Sequence, residues 1–524
     1  MSMDKITITD AAKWAANYTG RNITTSNISY LVNYGKIEKH VNNNNKTTIS
    51  KIELKKYYDS HKESRIQAFK NNNEKDVNWK LAFDEYKESE TTKHVHRIHP
   101  YKGKFIPQLV EYFLNQKTDD FKKDVIFKSN DVVLDPFCGS GTTLVQSNEM
   151  SINAVGIDVS KFNAQICNVK LTNIKKNEIE RFAKLIEDEI DSDKDGIYGR
   201  TIDNEMSKII HDFNDKYFPS NYKRKIATGK INESEYSKTH EMKFMKIYDE
   251  YQKNNKIKNQ KAENNFMSKW YLSTTLSEIN AANKKINEIN NDEIKNIMNL
   301  ILSRTIRSCR ATSHYDLTTL KEVKKTPYYC HKHGKICKPI YSILKWWKRY
   351  SKDTANRIDS FQNIKTNTEQ FCIAGDSQTI DILKELPEGK LLSKIKKDKI
   401  NGIFSSPPYI GLINYHEQHA YAYELFNMKR KDHEEIGILE KGTSAKAKEE
   451  YIKGISNTLI NSKKFMIDNF NVLLVANDKF NLYPEIAKRS NMKIIAKYKR
   501  PVLNRAESSK TAYTEIIFHL KPIN

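Results

Sequence analysis

Two short apolar runs joined by a glycine turn and a single helix restrict this chain more than any other stretch. Val132-Val133-Leu134-Asp135 is the first run, Pro136-Phe137-Cys138-Gly139-Ser140-Gly141 turns the chain, and Thr142-Thr143-Leu144 opens a helix reaching Glu149. Ala154-Val155-Gly156-Ile157-Asp158 is the second run and ends in a carboxylate. A helix between two strands makes a crossover, so strands near 131–135 and 153–158 are expected side by side and parallel. The same alternation returns late in the chain. Phe371-Cys372-Ile373-Ala374, Ile400 to Phe404 and Asn471 to Ala476 read as buried strands. Lys493 to Ala496 and Thr514 to His519 read as an antiparallel edge pair. The expected class is α/β.

Gly139 and Gly141 let backbone approach a ligand closely, as nucleotide-binding turns require. No Lys follows the second glycine, which argues against a phosphate-binding P-loop, and Leu144 stands where a dinucleotide fingerprint has its third glycine. Asp158 lies about 20 residues past the glycines, the distance expected of an acid that accepts from a ribose hydroxyl. A ligand with a ribose and no phosphates fits, and S-adenosylmethionine is such a ligand. A second segment, Ser405-Ser406-Pro407-Pro408-Tyr409, ends the apolar run Gly402-Ile403-Phe404. Neither proline has an N–H to donate, so the strand stops in a rigid, extended corner. Ser406 and a neighbouring carbonyl can each accept one hydrogen of an exocyclic amine while Tyr409 stacks on its ring. A proline-ended strand with a surface tyrosine is the equal alternative when the pentapeptide is taken alone.

Taken in order, these segments resemble the amino-methylating DNA methyltransferases, which act on cytosine-N4 or adenine-N6. His99 to Pro107, with Tyr101, Lys104 and Phe105, looks like the segment that closes over the methionine end of the cofactor. Asp135, Pro136, Phe137, Gly139, Ser140, Gly141, Thr142 and Thr143 look like its glycine loop, Asp158 like its ribose acid, and Asp376 with Ser377 like its third cofactor element. Ser406, Pro407, Pro408 and Tyr409 are similar to the catalytic motif, in the Ser form typical of cytosine-N4 enzymes rather than the Asp or Asn form of adenine-N6 enzymes. The resemblance implies a Rossmann-like, S-adenosylmethionine-dependent methyltransferase sheet, with a large mostly helical insertion and a small N-terminal helix-turn-helix-like module. It implies double-stranded DNA as substrate, a base flipped out of the stack, and the modification role in a restriction system whose cognate endonuclease acts independently. Ring-carbon methylation would call for a Pro-Cys pair, and Cys138 sits instead in the glycine turn. The alternatives are an adenine-N6 enzyme on the same scaffold, an RNA guanine-N2 methyltransferase, whose corner usually begins with Asp, and a non-catalytic DNA-binding regulator.

Composition agrees with a polyanionic partner: 88 Lys and Arg stand against 65 Asp and Glu, a net charge of +23. A generic basic surface is the alternative. Residues 1–60 read as a separate module, with a helix from Ile8 to Ala15, a turn at Gly20, a second helix opened by Thr24, Thr25, Ser26 and Asn27, a turn in Asn42 to Asn45, and a third helix from Lys51 to Tyr58. It resembles an excisionase-type helix-turn-helix, in which Thr24 to Asn27 would face a DNA groove; a protein-docking module is the rival. Residues 61–95 read as a polar, helical linker, 96–175 as the cofactor half, 176–365 as a mostly helical insertion for target recognition, and 366–524 as the catalytic half. Arg304, Arg307 and Arg310 are candidate DNA contacts, as are Lys345 to Tyr350, with a solvated basic face or a buried tryptophan pair as the alternatives. Asn414 to Glu417 can line the pocket edge or simply start a helix, and Asn504 with Arg505 resemble a family element near the flipped base.

Cys330-His331-Lys332-His333-Gly334-Lys335-Ile336-Cys337, with Cys309 and His314, supplies enough donors for four zinc ligands on paper. Their spacing matches no standard paired signature, so a loop of packed thiols and rings is the reading adopted and no metal is expected. No apolar run is long enough to span a membrane, and Met1 to Lys5 lacks the core of a secretory signal. Six cysteines in 524 residues suit a reducing cytoplasm.

Overall fold

The computed structural model describes residues 4–19, 23–41, 46–70, 77–83, 85–101, 103–255, 265–317, 319–502 and 513–523, without the side chains of 61–70 and 513. The turns expected at Gly20 and at Asn42 to Asn45, and the candidate contacts Asn504 and Arg505, lie outside the described residues. The strands are β1 (Lys5–Thr7), β2 (His40–Val41), β3 (Thr47–Ser50), β4 (Val132–Asp135), β5 (Asn153–Asp158), β6 (Tyr328–Cys330), β7 (Lys335–Cys337), β8 (Gln370–Ala374), β9 (Ile400–Ser405), β10 (Met466–Ala476), β11 (Met492–Val502) and β12 (Tyr513–Pro522). They belong to two compact units. One comprises Met1–Asn73, Ile190–Ala281 and Ser308–Leu344; the other comprises Glu74–Glu189, Ala282–Arg307 and Lys345–Asn524.

The larger unit is built on a seven-stranded sheet of order β11-β12-β10-β9-β4-β5-β8. The five strands from β10 to β8 run parallel, and β12 and β11 close the edge antiparallel, as the sequence pattern predicts. Alternate side chains serve opposite faces. Val132, Leu134, Ile403 and Leu474 pack under the helices Lys390–Asp398 and Ala445–Lys463. Val133, Phe404, Leu473 and Val475 face the helix Pro107–Leu114. Because the sheet is parallel at its centre, the carboxyl ends of β4, β5, β8 and β9 share one edge. The order also reverses at β4, with β5 on one side and β9 on the other, and such a reversal leaves a crevice suited to a ligand.

In the smaller unit, β1, β3 and β2 form an antiparallel sheet in that order beside helices Ile8–Thr19, Thr25–Asn33 and Lys51–Lys70. Ala11, Ala15, Ile28, Leu31, Ile49 and Leu54 are their common core. Helices Lys194–Tyr217 and Glu233–Asn254, with the segment between them, carry an aromatic core of Phe213, Phe218, Tyr222, Phe244 and Tyr248, which also takes up Tyr329 and Ile336 of the β6–β7 hairpin. The fully buried Glu278 accepts from Ser342 Oγ (2.8 Å) and the Ile343 N–H (2.6 Å) and pairs with Arg200 (2.5 Å).

The observed boundaries differ from the expected ones. The third helix runs to Lys70, and Val77 bridges to Lys499, so the supposed 61–95 linker is partly helix and partly sheet edge. The supposed 176–365 insertion divides: residues 190–281 and 308–344 join the N-terminal module, while 176–189, 282–307 and 345–365 pack with the catalytic sheet. Two interactions, one buried and one partly so, hold the latter pieces together. The Trp347 indole N–H donates to Ala183 O at 3.0 Å, and Arg304 pairs with Asp353 at 2.5 Å. Composition is similar along the whole stretch and gives no sign of which surface a helix docks against.

Candidate active site

The turn after β4 takes its shape from two left-handed residues, Gly139 (φ +53°) and Gly141 (φ +77°). A side chain at Gly139 would come within 2.9 Å of the Tyr101 ring, and one at Gly141 within 2.9 Å of Cys167 Sγ. Gly141 caps the helix Thr142–Glu149. From beneath, Lys170 donates through Nζ to Ser140 O, and the Cys167 thiol donates to Gly139 O at 3.3 Å. Burial pulls Lys170 down to about 8. The Gly139 N–H donates to Asp158 Oδ2 at 2.8 Å, while Asp158 Oδ1 accepts from the Ser160 N–H (2.9 Å) and Asn163 Nδ2 (3.1 Å). Asp158 is therefore held rigidly at the end of β5. Burial nevertheless outweighs these donors and raises its carboxyl to about 7.

Asp135, at the end of β4, accepts from Ser405 Oγ at 2.5 Å and from the Phe137 N–H at 3.2 Å, and burial raises it to about 6. Asp376 follows β8, with its carboxylate accepting from the Gln378 N–H at 2.9 Å. Ser377 shares a hydroxyl contact of 3.1 Å with Thr458.

These ends surround a cavity of about 800 Å³. Of the expected residues, Tyr101, Lys104, Phe105, Asp135, Pro136, Phe137, Gly139, Ser140, Thr142, Asp158, Asp376, Ser377, Ser406 and Pro408 line it. Thr143 lies behind the wall, 3.4 Å from Phe404 O. Gly103, Cys138, Val159, Asn163, Tyr415, Glu434, Glu435 and Ile436 complete the lining. Of these, Glu434, Glu435 and Ile436 come from a segment with no sequence signal. Glu435 accepts from the Tyr415 N–H (3.1 Å) and the His416 N–H (2.7 Å) and meets His416 Nδ1 directly, which fixes the 414–417 segment over the cavity.

The residues fit a ribose-bearing, phosphate-free cofactor. A buried carboxylate stands at the wall, the backbone at Gly139 leaves no space for a side chain, and the lining atoms Ser140 Oγ and Asn163 Oδ1 are buried without a hydrogen-bond partner among the described residues. At the proline corner the two serines divide: Ser405 is buried against Asp135, and Ser406 faces the cavity. Tyr409 turns away to a separate recess beside Tyr451 and Tyr483, and its hydroxyl donates to Glu515 at 2.8 Å. Glu515 is itself buried beside Arg500.

The candidate nucleic-acid residues scatter. Thr24, Thr25, Ser26 and Asn27 are exposed, but Thr24 and Asn27 form a capping box, with the Asn27 N–H 3.3 Å from Thr24 Oγ1 and the Thr24 N–H 2.8 Å from Asn27 Oδ1. Arg304 is buried on Asp353 and Thr354, with its guanidinium 4.3 Å from the Tyr350 ring centre. Arg310 is buried and donates to Leu317 O at 2.6 Å; Arg307 is half-buried. Trp347 is fully buried, leaving Lys345, Lys348 and Arg349 exposed around it. No helix among the described residues is long and apolar enough to cross a membrane.

Residues 4–169 match a family model described as DNA methylase. The type II methyltransferase M.MjaII of Methanocaldococcus jannaschii is 43% identical over 529 residues, spanning 98% of this chain and 96% of that protein. No solved structure matches the chain significantly. The relative's near-complete coverage agrees with the order of glycine loop, ribose acid and proline corner, and the chain belongs to the amino-methylating DNA methyltransferases, a family whose methyl donor is S-adenosylmethionine.

Proposed function

We propose that this protein methylates the exocyclic N4 amine of cytosine at a specific site in duplex DNA, as the modification enzyme of a restriction system. Its observation is Ser406, a hydroxyl in the cavity wall where adenine-N6 enzymes carry Asp or Asn. Asp158 would accept from the ribose of S-adenosylmethionine, the Phe137–Gly139 backbone would lie along the cofactor, and Asp376 would face its adenine. When bound, the cofactor supplies a methyl group activated on a sulfonium.

A cytosine amine is a weak nucleophile because its lone pair is delocalised into the ring. Ser406 Oγ accepts one amine hydrogen, and a main-chain carbonyl of the corner accepts the other. The two bonds favour a pyramidal nitrogen and fix its direction of attack, which is how positioning lowers the barrier. The base must first leave the stack, at a cost of a few kcal/mol. The Tyr409 ring, which points into a separate recess, does not reach the cavity to stack on that base, so contacts along the DNA must offset the cost. The 43% identical relative, named a type II methyltransferase, supports the restriction-system role.

Nucleoside mass spectrometry of DNA incubated with the protein and cofactor tests the reading. N4-methylcytosine is expected. N6-methyladenine alone overturns the base assignment, and activity on tRNA with none on duplex DNA overturns the substrate.

A further inference from the structure

The β6–β7 hairpin of the smaller unit has two different faces. Tyr329 and Ile336 point into the helical core, where Ile336 exchanges two hydrogen bonds with the Asn214 amide (2.9 and 3.0 Å) and the Tyr329 N–H donates to Glu241 (2.8 Å). Tyr328 stands directly opposite Cys337, and Cys330 lies two residues on from Tyr328. The strand alternation therefore puts Cys330 and Cys337 on the same, outer face. Between them the chain turns sharply, with the N–H groups of His333 (3.0 Å) and Gly334 (2.6 Å) both donating to Cys330 O and Gly334 at φ +64°. The turn swings His333 back over the thiols. His314 reaches the same point from the preceding loop.

The donor atoms of His314, Cys330, His333 and Cys337 all lie within 4.8 Å of one another. Cys330 Sγ is 3.6 Å from His314 Nδ1, and Cys337 Sγ is 3.4 Å from His333 Nδ1. A tetrahedral zinc, with bonds of about 2.3 Å to sulfur and about 2.0 Å to nitrogen, spaces its sulfur and nitrogen ligands about 3.5 Å apart. Both observed edges match that spacing. Ordinary packing gives no reason for two thiols and two imidazoles to converge with their donor atoms inward. Cys309 and His331, the other donors the sequence offers, are not in this group. The sequence expectation of no metal therefore rested on spacing along the chain, whereas the hairpin turn assembles the ligands in space.

We propose that His314, Cys330, His333 and Cys337 bind one Zn²⁺ as a closed structural site. Two thiolates and two imidazoles in a tetrahedron are a zinc donor set. The Tyr328 hydroxyl, 2.9 Å from His314 Nδ1, gives up that contact to the metal and keeps the His314 N–H, 3.2 Å away, as its donor. The site ties the loop carrying His314 to a hairpin whose strands are three residues each, too short to be stable without support. Binding the metal displaces the thiol protons to solvent and involves no redox change.

The test uses the full-length chain, expressed with zinc in the medium and purified under reducing conditions. Elemental analysis is expected to give about one zinc per chain. After chelation, titration with Co²⁺ is expected to produce the intense visible bands of a tetrahedral thiolate site, saturating near one equivalent. Cys337→Ser and His333→Ala each shift or abolish those bands, and Cys309→Ser leaves them unchanged. A folded wild-type chain with no zinc and no cobalt bands overturns the proposal, as does a Cys330–Cys337 disulfide found by mass spectrometry after alkylation. If the ligand variants do not fold, zinc content and the cobalt spectrum of the wild-type chain still decide the question.

Discussion

The Ser405 hydroxyl donates to the Asp135 carboxylate at 2.5 Å, joining the end of the strand before the proline corner to the end of the strand before the glycine loop. The neighbouring Ser406 faces the cavity instead. Ser405→Ala strips the buried Asp135 carboxyl of its closest partner, leaving the longer bond from the Phe137 N–H, and is expected to cost about 1–3 kcal/mol of stability. Ser406→Ala is expected to change stability by no more than about 0.5 kcal/mol. It should leave cofactor affinity intact and lower the methylation rate about a hundredfold. Denaturant unfolding, calorimetric titration with S-adenosylmethionine and single-turnover methylation separate the two.

Gly139 combines a positive φ with the Tyr101 ring 2.9 Å from where a side chain would sit. Gly139→Ala is expected to cost about 1–3 kcal/mol from backbone strain and crowding. Cofactor binding should fall with it, because the turn presents its N–H to Asp158. Gly229, also at positive φ but with nothing near its Cβ position, is the control. Gly229→Ala is expected to cost less and to leave cofactor binding unchanged.

Burial raises Asp158 to about 7 and Asp135 to about 6, from an ordinary value of 3.8. The folded chain thus keeps protons that the unfolded chain releases. These two groups contribute stability that is full below about pH 4, declines as pH rises through 6 and 7, and is flat above. Cofactor affinity runs the other way, since ribose hydroxyls donate to the ionised carboxylate. Titrations between about pH 6 and 8 should show tighter binding as Asp158 ionises, and Asp158→Asn should flatten the profile.

In the N-terminal module the exposed helix start carries two kinds of residue. Thr24 and Asn27 cap the helix, and Thr24→Ala is expected to cost about 1 kcal/mol in unfolding. Thr25→Ala and Ser26→Ala should leave stability unchanged. If the module contacts DNA, they weaken specific binding in a gel-shift assay; unchanged affinity for both would exclude this helix start from the interface. Arg304→Ala is expected to destabilise by about 1–3 kcal/mol, because it removes a buried guanidinium bonded to Asp353 and Thr354 while Arg357 still pairs with the half-buried Asp353. The salt dependence of DNA binding should stay as it is.

The parts legible in the sequence are those whose chemistry is written over a few adjacent residues. The glycine loop, the acid at Asp158 and the proline corner each need fixed local geometry, and fourteen of the expected cofactor and catalytic residues line one cavity. What was not legible depends on distant packing. Lys170 and Asn163 lie on a helix whose pattern is that of any helix covering a sheet, yet one supports the loop and the other the acid. Glu435 holds the 414–417 segment from a stretch without a motif. Arg304 has the composition of a DNA contact and the position of a core ion pair.

The pairing of β5 with β8 has a consequence for how the protein is made. Ala154 lies opposite Gln370, so the outer strand of the central sheet emerges from the ribosome only after roughly 200 further residues. At ordinary elongation speeds the free edge of β5 waits about 10–40 s for its neighbour. Throughout that interval it is an open template for another chain. Slowing translation between the two strands should therefore promote aggregation of this enzyme more than the same delay placed after β8.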